Sequence, residues 1–291
     1  MAPASPFKAE DLERGIAELR HLGFEPVHDP RILERTGYVA GTAATRAAVL
    51  HAAWSDPAVA GIVAVRGGYG SQQVLPLLDP ALMRASRAAF IGYSDTTALL
   101  AWHLRHGMAC VHGPMLEARL AAGGEGYDRS SFLAAVTRPA PMGLLEPPGL
   151  EVLRAGEASG TLVGGTLTQL AALLGTPFAY DPPDGAVLFL EDVGERPYRI
   201  DRVFTQLRQA GFFARASAIV FGEFPRCDEP GGTPAIRDVL RELTEGFAGP
   251  VLFGLPSGHT TGPVWTLPFG VRATVRAAGR PAVVIEEALV D

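Results

Sequence analysis

The chain of 291 residues has two cysteines, Cys110 and Cys227, and a single lysine, Lys8. Two distant cysteines with no CxxC exclude a disulfide framework and a zinc ribbon. They fit a reducing compartment. With 25 basic against 31 acidic residues the net charge is −6, and the pI is near 5.7. No Lys/Arg cluster stands out, so the electrostatic footprint of a nucleic-acid binder is missing. A polybasic membrane anchor is missing too. No apolar run approaches the roughly 20 residues of a membrane span. The N-terminal MAPASPFKAEDLERG carries charge early and has no apolar core, so no signal peptide is legible. With 47% hydrophobic residues the composition is that of an ordinary globular chain. The expectation is a soluble, cytoplasmic protein with no nucleic acid and no membrane among its partners.

The first half alternates helical and strand patterns. Residues 10–22 read as a helix, with Leu12, Ile16 and Leu19 on one face. A short strand is expected at 24–27, a helix at 45–54, and a compact buried strand at 61–65 (GIVAV). Further expectations are a helix at 71–78, a strand at 88–92, a helix at 96–105 and a strand at 109–112. That alternation implies βαβ units and a mostly parallel sheet. Residues 139–149 are rich in proline and read as a linker. The second half shows short strands, many turns and fewer clear helices. Strands are expected at 187–190, 218–221, 251–253, 271–275 and 282–285, with helices at 199–209 and 236–244. The fold class is therefore α/β: an N-terminal, mostly parallel, flavodoxin- or Rossmann-like domain (1–138) and a smaller β-rich α+β domain (150–291).

Four places could carry chemistry. In Gly92-Tyr93-Ser94-Asp95 a buried strand runs into a glycine and a helix follows at once. Ser94 then sits on a tight turn at the carboxyl edge of the sheet, where α/β folds place their sites. The alternative is that Ser94 or Asp95 only caps the helix. Arg66-Gly67-Gly68-Tyr69-Gly70 follows the GIVAV strand, and its glycines let backbone come close to a ligand. It is neither a dinucleotide fingerprint nor a phosphate loop, and a plain turn is the alternative. Glu191 ends the VLFL strand, with Arg196, Arg199 and Arg202 near enough in sequence to pair with it instead. His259, in Pro256-Ser257-Gly258-His259, lies in a loop of small residues. An imidazole there can act as a base, or can simply be solvated. His103 and His106 are three apart on a helix, with no third metal ligand apparent. Together the four places supply a nucleophile, a base and an acid that can fix the base's tautomer.

At this point the sequence resembles the LD-carboxypeptidase family of serine peptidases, which includes muramoyltetrapeptide carboxypeptidases and microcin-immunity peptidases. The resemblance rests on five blocks in family order: RGGYGSQQVLPLLD, FIGYSDTTALLAWHLRHGMACVHGPML, LVGGTLTQLAALLGTPF, LFLEDVGERPYRIDRVFTQLRQAG and GLPSGHTTGPVWTLPFGVRATV. It implies Ser94 as nucleophile, His259 as general base and Glu191 as the group orienting His259, in a cleft between the two domains. It implies no metal and no organic cofactor. The backbone N–H groups of Gly68 and Asp95 would hold the oxyanion, and Arg66 and Tyr69 are candidates for substrate contact. Arg66 would receive a free carboxylate, or pair with a neighbouring acid.

The implied reaction releases C-terminal D-alanine from a murein tetrapeptide during cell-wall recycling. A peptide–nucleotide antibiotic is the alternative substrate, for which Trp265 leaves an aromatic near the cleft. A non-catalytic ligand-binding α/β protein is the alternative class. A homodimer is expected from the general prevalence of such assemblies. Two departures from the family pattern stand out. Thr166 occupies a position that is usually Asn, with no contact to the triad expected. In the family frame the usual first strand would precede Ala2–Ser5, so the natural start is expected upstream.

Overall fold

The computed structural model describes residues 1–290. Twelve strands run among the described residues: β1 (Gly61–Val63), β2 (Ala89–Gly92), β3 (Cys110–His112), β4 (Gly143–Leu145), β5 (Glu151–Arg154), β6 (Glu157–Thr166), β7 (Val187–Glu191), β8 (Ala218–Phe221), β9 (Val251–Phe253), β10 (Leu267–Phe269), β11 (Arg272–Arg276) and β12 (Ala282–Ile285). The α-helices are α1 (Ala9–His21), α2 (Ala43–Ser55), α3 (Ser71–Val74), α4 (Pro80–Ala85), α5 (Thr97–Arg105), α6 (Arg129–Thr137), α7 (Leu167–Leu173), α8 (Pro197–Gln209) and α9 (Ile236–Leu243).

The strands form two sheets. The smaller has the order β1-β2-β3-β10. Its first three strands are parallel, and β10 joins β3 antiparallel. The larger has the order β4-β12-β11-β6-β7-β8-β9-β5. Its centre, β6 to β9, is parallel, with α7, α8 and α9 as the crossovers. The fold is mixed α/β, and the C-terminal half joins a parallel centre to antiparallel strands on both flanks. The segment read as a proline-rich linker contains β4, which pairs with β12. Met1 and Ser5 bond alongside β1: the Met1 amino group donates to Val63 O at 2.9 Å, and Ser5 N–H donates to Gly67 O at 3.2 Å.

Local sequence explains most elements. Helix α8 starts on Pro197, a good first helical residue, and buries Ile200, Phe204 and Leu207 on one stripe. Strands β7 and β8 are buried along their whole length, as expected of parallel strands covered on both faces. The strand expected at 24–27 does not form. Phe24 N–H bonds back to Leu19 O, closing the end of α1, and the Phe24 ring packs edge-on to Phe132. The helix expected at 71–78 is α3 followed by a 3₁₀ turn, because Pro76 interrupts the α-helical ladder.

One hydrophobic core runs through both halves, joining Leu99, Leu100 and Trp102 of α5 to Leu162, Leu167, Phe189 and Phe269. Helix α5 touches β2 and β3 of one sheet and β6 and α7 of the other. It begins three residues past Ser94, so the turn carrying Ser94 is braced against the second half. No helix among the described residues is long and apolar enough to cross a membrane.

Candidate active site

The candidate residues lie where the parallel strands end. Strand β2 stops at Gly92, a 3₁₀ turn takes up Ser94–Thr96, and α5 follows. Ser94 has φ +64°, a left-handed backbone that costs a non-glycine residue roughly 1–2 kcal/mol. The cap residues of these two turns are Tyr93 and Thr96, and neither makes a side-chain cap bond. Ser94 therefore is not serving as the helix cap. Asp95 is buried, and its Oδ2 accepts the Ser71 N–H at 2.8 Å. Its carboxylate ties the start of α3, and with it the glycine loop, to the Ser94 turn.

The glycine loop lies directly against Ser94. A Cβ at Gly67 would stand 2.9 Å from Ser94 Cβ, 3.0 Å from its Oγ and 3.2 Å from Asp95 N. Only a glycine allows that approach. Gly68 N–H makes no bond to another backbone carbonyl among the described residues. Asp95 is the second residue of its helical turn, where an N–H has no intrahelical acceptor. The Asp95 N–H therefore follows Ser94 directly, and the Gly68 N–H follows the glycine that packs against Ser94. Buried Arg46 braces the loop from behind, donating to Gly70 O at 2.7 Å and Pro3 O at 2.5 Å. Arg66 is committed to Glu117 at 3.0 Å and to Pro6 O at 3.2 Å. Tyr69 is half exposed, edge-on to exposed Tyr38 with ring centroids 5.4 Å apart.

Glu191 is fully buried at the end of β7. Its Oε2 accepts both His259 Nδ1 at 2.7 Å and the His259 backbone N–H at 2.9 Å. None of the nearby arginines pairs with it; Arg196 bonds Glu229 and Arg199 bonds Glu195. Burial pushes the Glu191 pKa up, but the imidazole and the hydrogen bonds outweigh it and hold the carboxyl below its ordinary value. For His259, burial lowers the pKa, and the Glu191 carboxylate more than offsets that, so the net shift is upward. Gly258 has φ +74°, and a Cβ there would meet Glu191 Cδ and His112 Cε1, each at 2.8 Å. That loop is built for glycine.

Two aromatic groups close the site. The Tyr93 ring stands edge-on to His259, with centroids 5.1 Å apart. This places the residue before Ser94 in contact with the imidazole. His112, at the end of β3, bonds Ser257 Oγ through Nδ1 at 2.9 Å and stacks on Phe269. Burial pushes its pKa down to about 4, so it is neutral near pH 7 and adds no competing cation beside Glu191. His103 and His106 instead bond backbone carbonyls four residues back through Nδ1.

Thr166 corrects an expectation. Its hydroxyl donates to Glu191 Oε1, so it does touch the carboxylate. Its N–H donates to Thr97 Oγ1 at 3.1 Å. A continuous chain of contacts therefore links the start of α5, Thr166, Glu191 and His259. Sequence spacing did not reveal this, because Thr166 and Glu191 meet only through the β6–β7 register, in which they are direct partners.

A buried carboxylate holds the histidine, the Tyr93 ring next to Ser94 packs on that imidazole, and the glycine loop lies against the strained serine turn; such a set of groups can generate a nucleophile and bind an oxyanion. Comparison with known proteins agrees. Residues 1–113 match the LD-carboxypeptidase N-terminal domain, and 159–275 match the LD-carboxypeptidase C-terminal domain. A putative carboxypeptidase of Streptomyces coelicolor is 39% identical over 95% of this chain and 89% of its own length. The microcin C7 self-immunity protein of Escherichia coli is 29% identical over 94% of this chain and 88% of its own. The crystal structure of muramoyltetrapeptide carboxypeptidase from Oxalobacter formigenes superposes with a TM-score of 0.87 at 30% identity, covering 99% of this chain and 98% of that one. Fold and relatedness together define a serine carboxypeptidase. More narrowly, the chain belongs to the LD-carboxypeptidase family.

Proposed function

We propose that this carboxypeptidase hydrolyses the L,D peptide bond that precedes a C-terminal D-alanine in murein tetrapeptides, in the cytoplasm, as part of cell-wall turnover. Ser94 is the nucleophile. His259, with Nδ1–H donating to Glu191, accepts the Ser94 proton on Nε2 as Oγ attacks the scissile carbonyl. Glu191 fixes the tautomer and stabilises the imidazolium that forms. The N–H groups of Gly68 and Asp95 bind the oxyanion, each contributing a few kcal/mol, on the order of 3. His259 then passes its proton to the departing amino group, and D-alanine leaves. A water molecule, deprotonated by His259, opens the acyl ester and restores Ser94. These residues and water carry every step.

The observation that carries this reading is the Glu191–His259 pair at 2.7 Å, with the Ser94 turn pressed against the glycine loop. The name of the Oxalobacter relative points to the murein substrate. The microcin-immunity relative supports a second substrate, a peptide–nucleotide antibiotic. Trp265, the candidate for stacking on a base, is packed against the hydrophobic core here, which favours the murein peptide. Arg66 is already paired with Glu117, so a substrate carboxylate would compete with that acid for it.

The test is D-alanine release from L-Ala-γ-D-Glu-meso-diaminopimelate-D-Ala, with chelator present and Ser94→Ala as control. Release by the wild type alone is expected. Release by Ser94→Ala would overturn the assignment of the nucleophile. No release by folded wild type, with cleavage of an aminoacyl sulfamoyl nucleoside, would move the substrate to the antibiotic class.

A further inference from the structure

The serine and the histidine arrive from different halves of the chain, and something must hold one at a fixed distance from the other. Three consecutive residues just past His259 are gripped from two sides. Arg119, which follows β3 in the first half, donates through Nη2 to Thr260 O at 2.9 Å and through Nη1 to Gly262 O at 3.1 Å. Glu223, which follows β8 in the second half, accepts the Thr261 N–H at 2.9 Å and the Thr261 hydroxyl at 3.0 Å. A cation therefore holds the two outer carbonyls and an anion holds the N–H between them. Arg119 also reaches the Tyr93 hydroxyl through Nε at 3.3 Å, and the Tyr93 ring lies against His259.

Backbone strain collects at the same place. Four non-glycine residues have positive φ among the described residues: Ser94, Ala118, Phe224 and Arg226. One is the nucleophile. Ala118 immediately precedes Arg119, and Phe224 immediately follows Glu223. Strain of about 1–3 kcal/mol per residue persists only where the surroundings impose it, and it gathers at functional sites. Alanine has no polar side chain to compensate for a left-handed backbone.

We propose that Arg119 and Glu223 are positioning residues for the reaction proposed above: a two-sided clamp on Thr260–Gly262 that sets His259 against Ser94. The guanidinium fork suits this task because it presents several donors in fixed geometry, which an ammonium group cannot do. Neither residue touches the reacting atoms. The clamp acts by keeping the imidazole within transfer distance of the Ser94 hydroxyl.

The titratable and charged groups facing His259 are Glu191 and Asp192 at the end of β7, His112 at the end of β3, and Arg119; buried Tyr93 lies against its ring. The Arg119 charge disfavours the imidazolium. Removing that charge raises the His259 pKa and moves the acid limb of kcat/KM to higher pH.

The test compares Arg119→Met, Arg119→Lys and Glu223→Gln with wild type, after thermal unfolding has established that each folds. A misplacement of about 1 Å costs up to about a hundredfold in rate, so Arg119→Met is expected to lose about ten- to a hundredfold in kcat with KM little changed. Its acid limb moves up. Arg119→Lys keeps the limb in place, because the charge remains, yet still loses kcat. Hydrogen exchange at the Thr261 amide, read without substrate, speeds up in Arg119→Met and in Glu223→Gln. Unchanged Thr261 exchange, or a loss carried wholly in KM, overturns the clamp. Faster Thr261 exchange in a chain whose wild type cleaves no peptide would retain the clamp and sink the substrate reading, so the two failures are distinguishable.

Discussion

Replacing Thr166 by valine preserves the shape of the side chain and removes one hydroxyl. The structure says what that hydroxyl does. Glu191 is fully buried, and three donors serve its two oxygens: His259 twice on Oε2, and Thr166 on Oε1. In Thr166→Val the second oxygen loses its donor in a site without access to water. A hydrogen bond to a charged group is worth about 1.5–3 kcal/mol, and most of that is lost when a buried acceptor is left alone. At about 2–4 °C per kcal/mol, the melting temperature should fall by roughly 3–10 °C at pH 7.

The pH dependence identifies the cause. The folded-state pKa of Glu191 is depressed, so its contribution is full above the unfolded value and is lost as pH falls through the folded one. Thr166→Val raises that folded pKa. The gap between wild type and variant should therefore be widest near neutrality and should close in acid, where a protonated carboxyl no longer needs the donor. Activity should suffer less than stability, because both bonds to His259 remain. A fall in kcat/KM of less than about tenfold, under ~1.4 kcal/mol of barrier, is expected. Thermal melts from pH 7 down to below the ordinary glutamate range, paired with D-alanine release near neutrality, measure both. A gap that does not change with pH would assign the loss to packing and refute the argument.

Three further outcomes follow from the geometry. Ser94→Gly should be more stable than Ser94→Ala by about 1 kcal/mol, because glycine accepts the +64° φ without strain; equal urea midpoints would show the turn to be unstrained. Gly258→Ala should lose activity and about 1–3 kcal/mol of stability, because its methyl would press on Glu191 and His112 at 2.8 Å in a left-handed backbone; a fully active variant would mean that the loop relaxes freely. Glu191→Gln removes the charge that raises the His259 pKa, so the acid limb of kcat/KM should move to lower pH as kcat falls. A limb that stayed in place would detach Glu191 from the base.

Much of this architecture was legible because single segments announce it. GIVAV and VLFL are short apolar runs that read as buried strands; β7 is buried along its length, whereas β1 takes only Gly61–Val63 and buries Ile62 alone. The stretches at 24–27 and 267–269 show the limit. Phe24 looks like strand and instead packs on Phe132, whereas Leu-Pro-Phe looks unlike strand and forms β10. Pro268 is tolerated because β10 lies at the edge of its sheet, with a partner on one side only. The site divides in the same way. Strand ends mark Ser94, Glu191 and His259 as candidates, but family resemblance supplied their roles. The contacts of Thr166, Arg119 and Glu223 span 25, 141 and 38 residues, and no periodicity reports on pairs that only tertiary register creates.

Strand β10 has a further consequence for how the molecule is made. The smaller sheet takes its fourth strand from residues 267–269, after the whole parallel centre of the larger sheet has been synthesised. A nascent chain that has emerged only as far as residue 150 carries Ser94 beside a β3 edge with nothing on its outer side. Such an open edge invites pairing with other chains, and closing it demands a contact of high sequence separation, which is slow to form. The same late event brings in the loop of His259. In the proposed mechanism a translation intermediate therefore holds a serine with no base to activate it, and the base arrives together with the protection of the sheet.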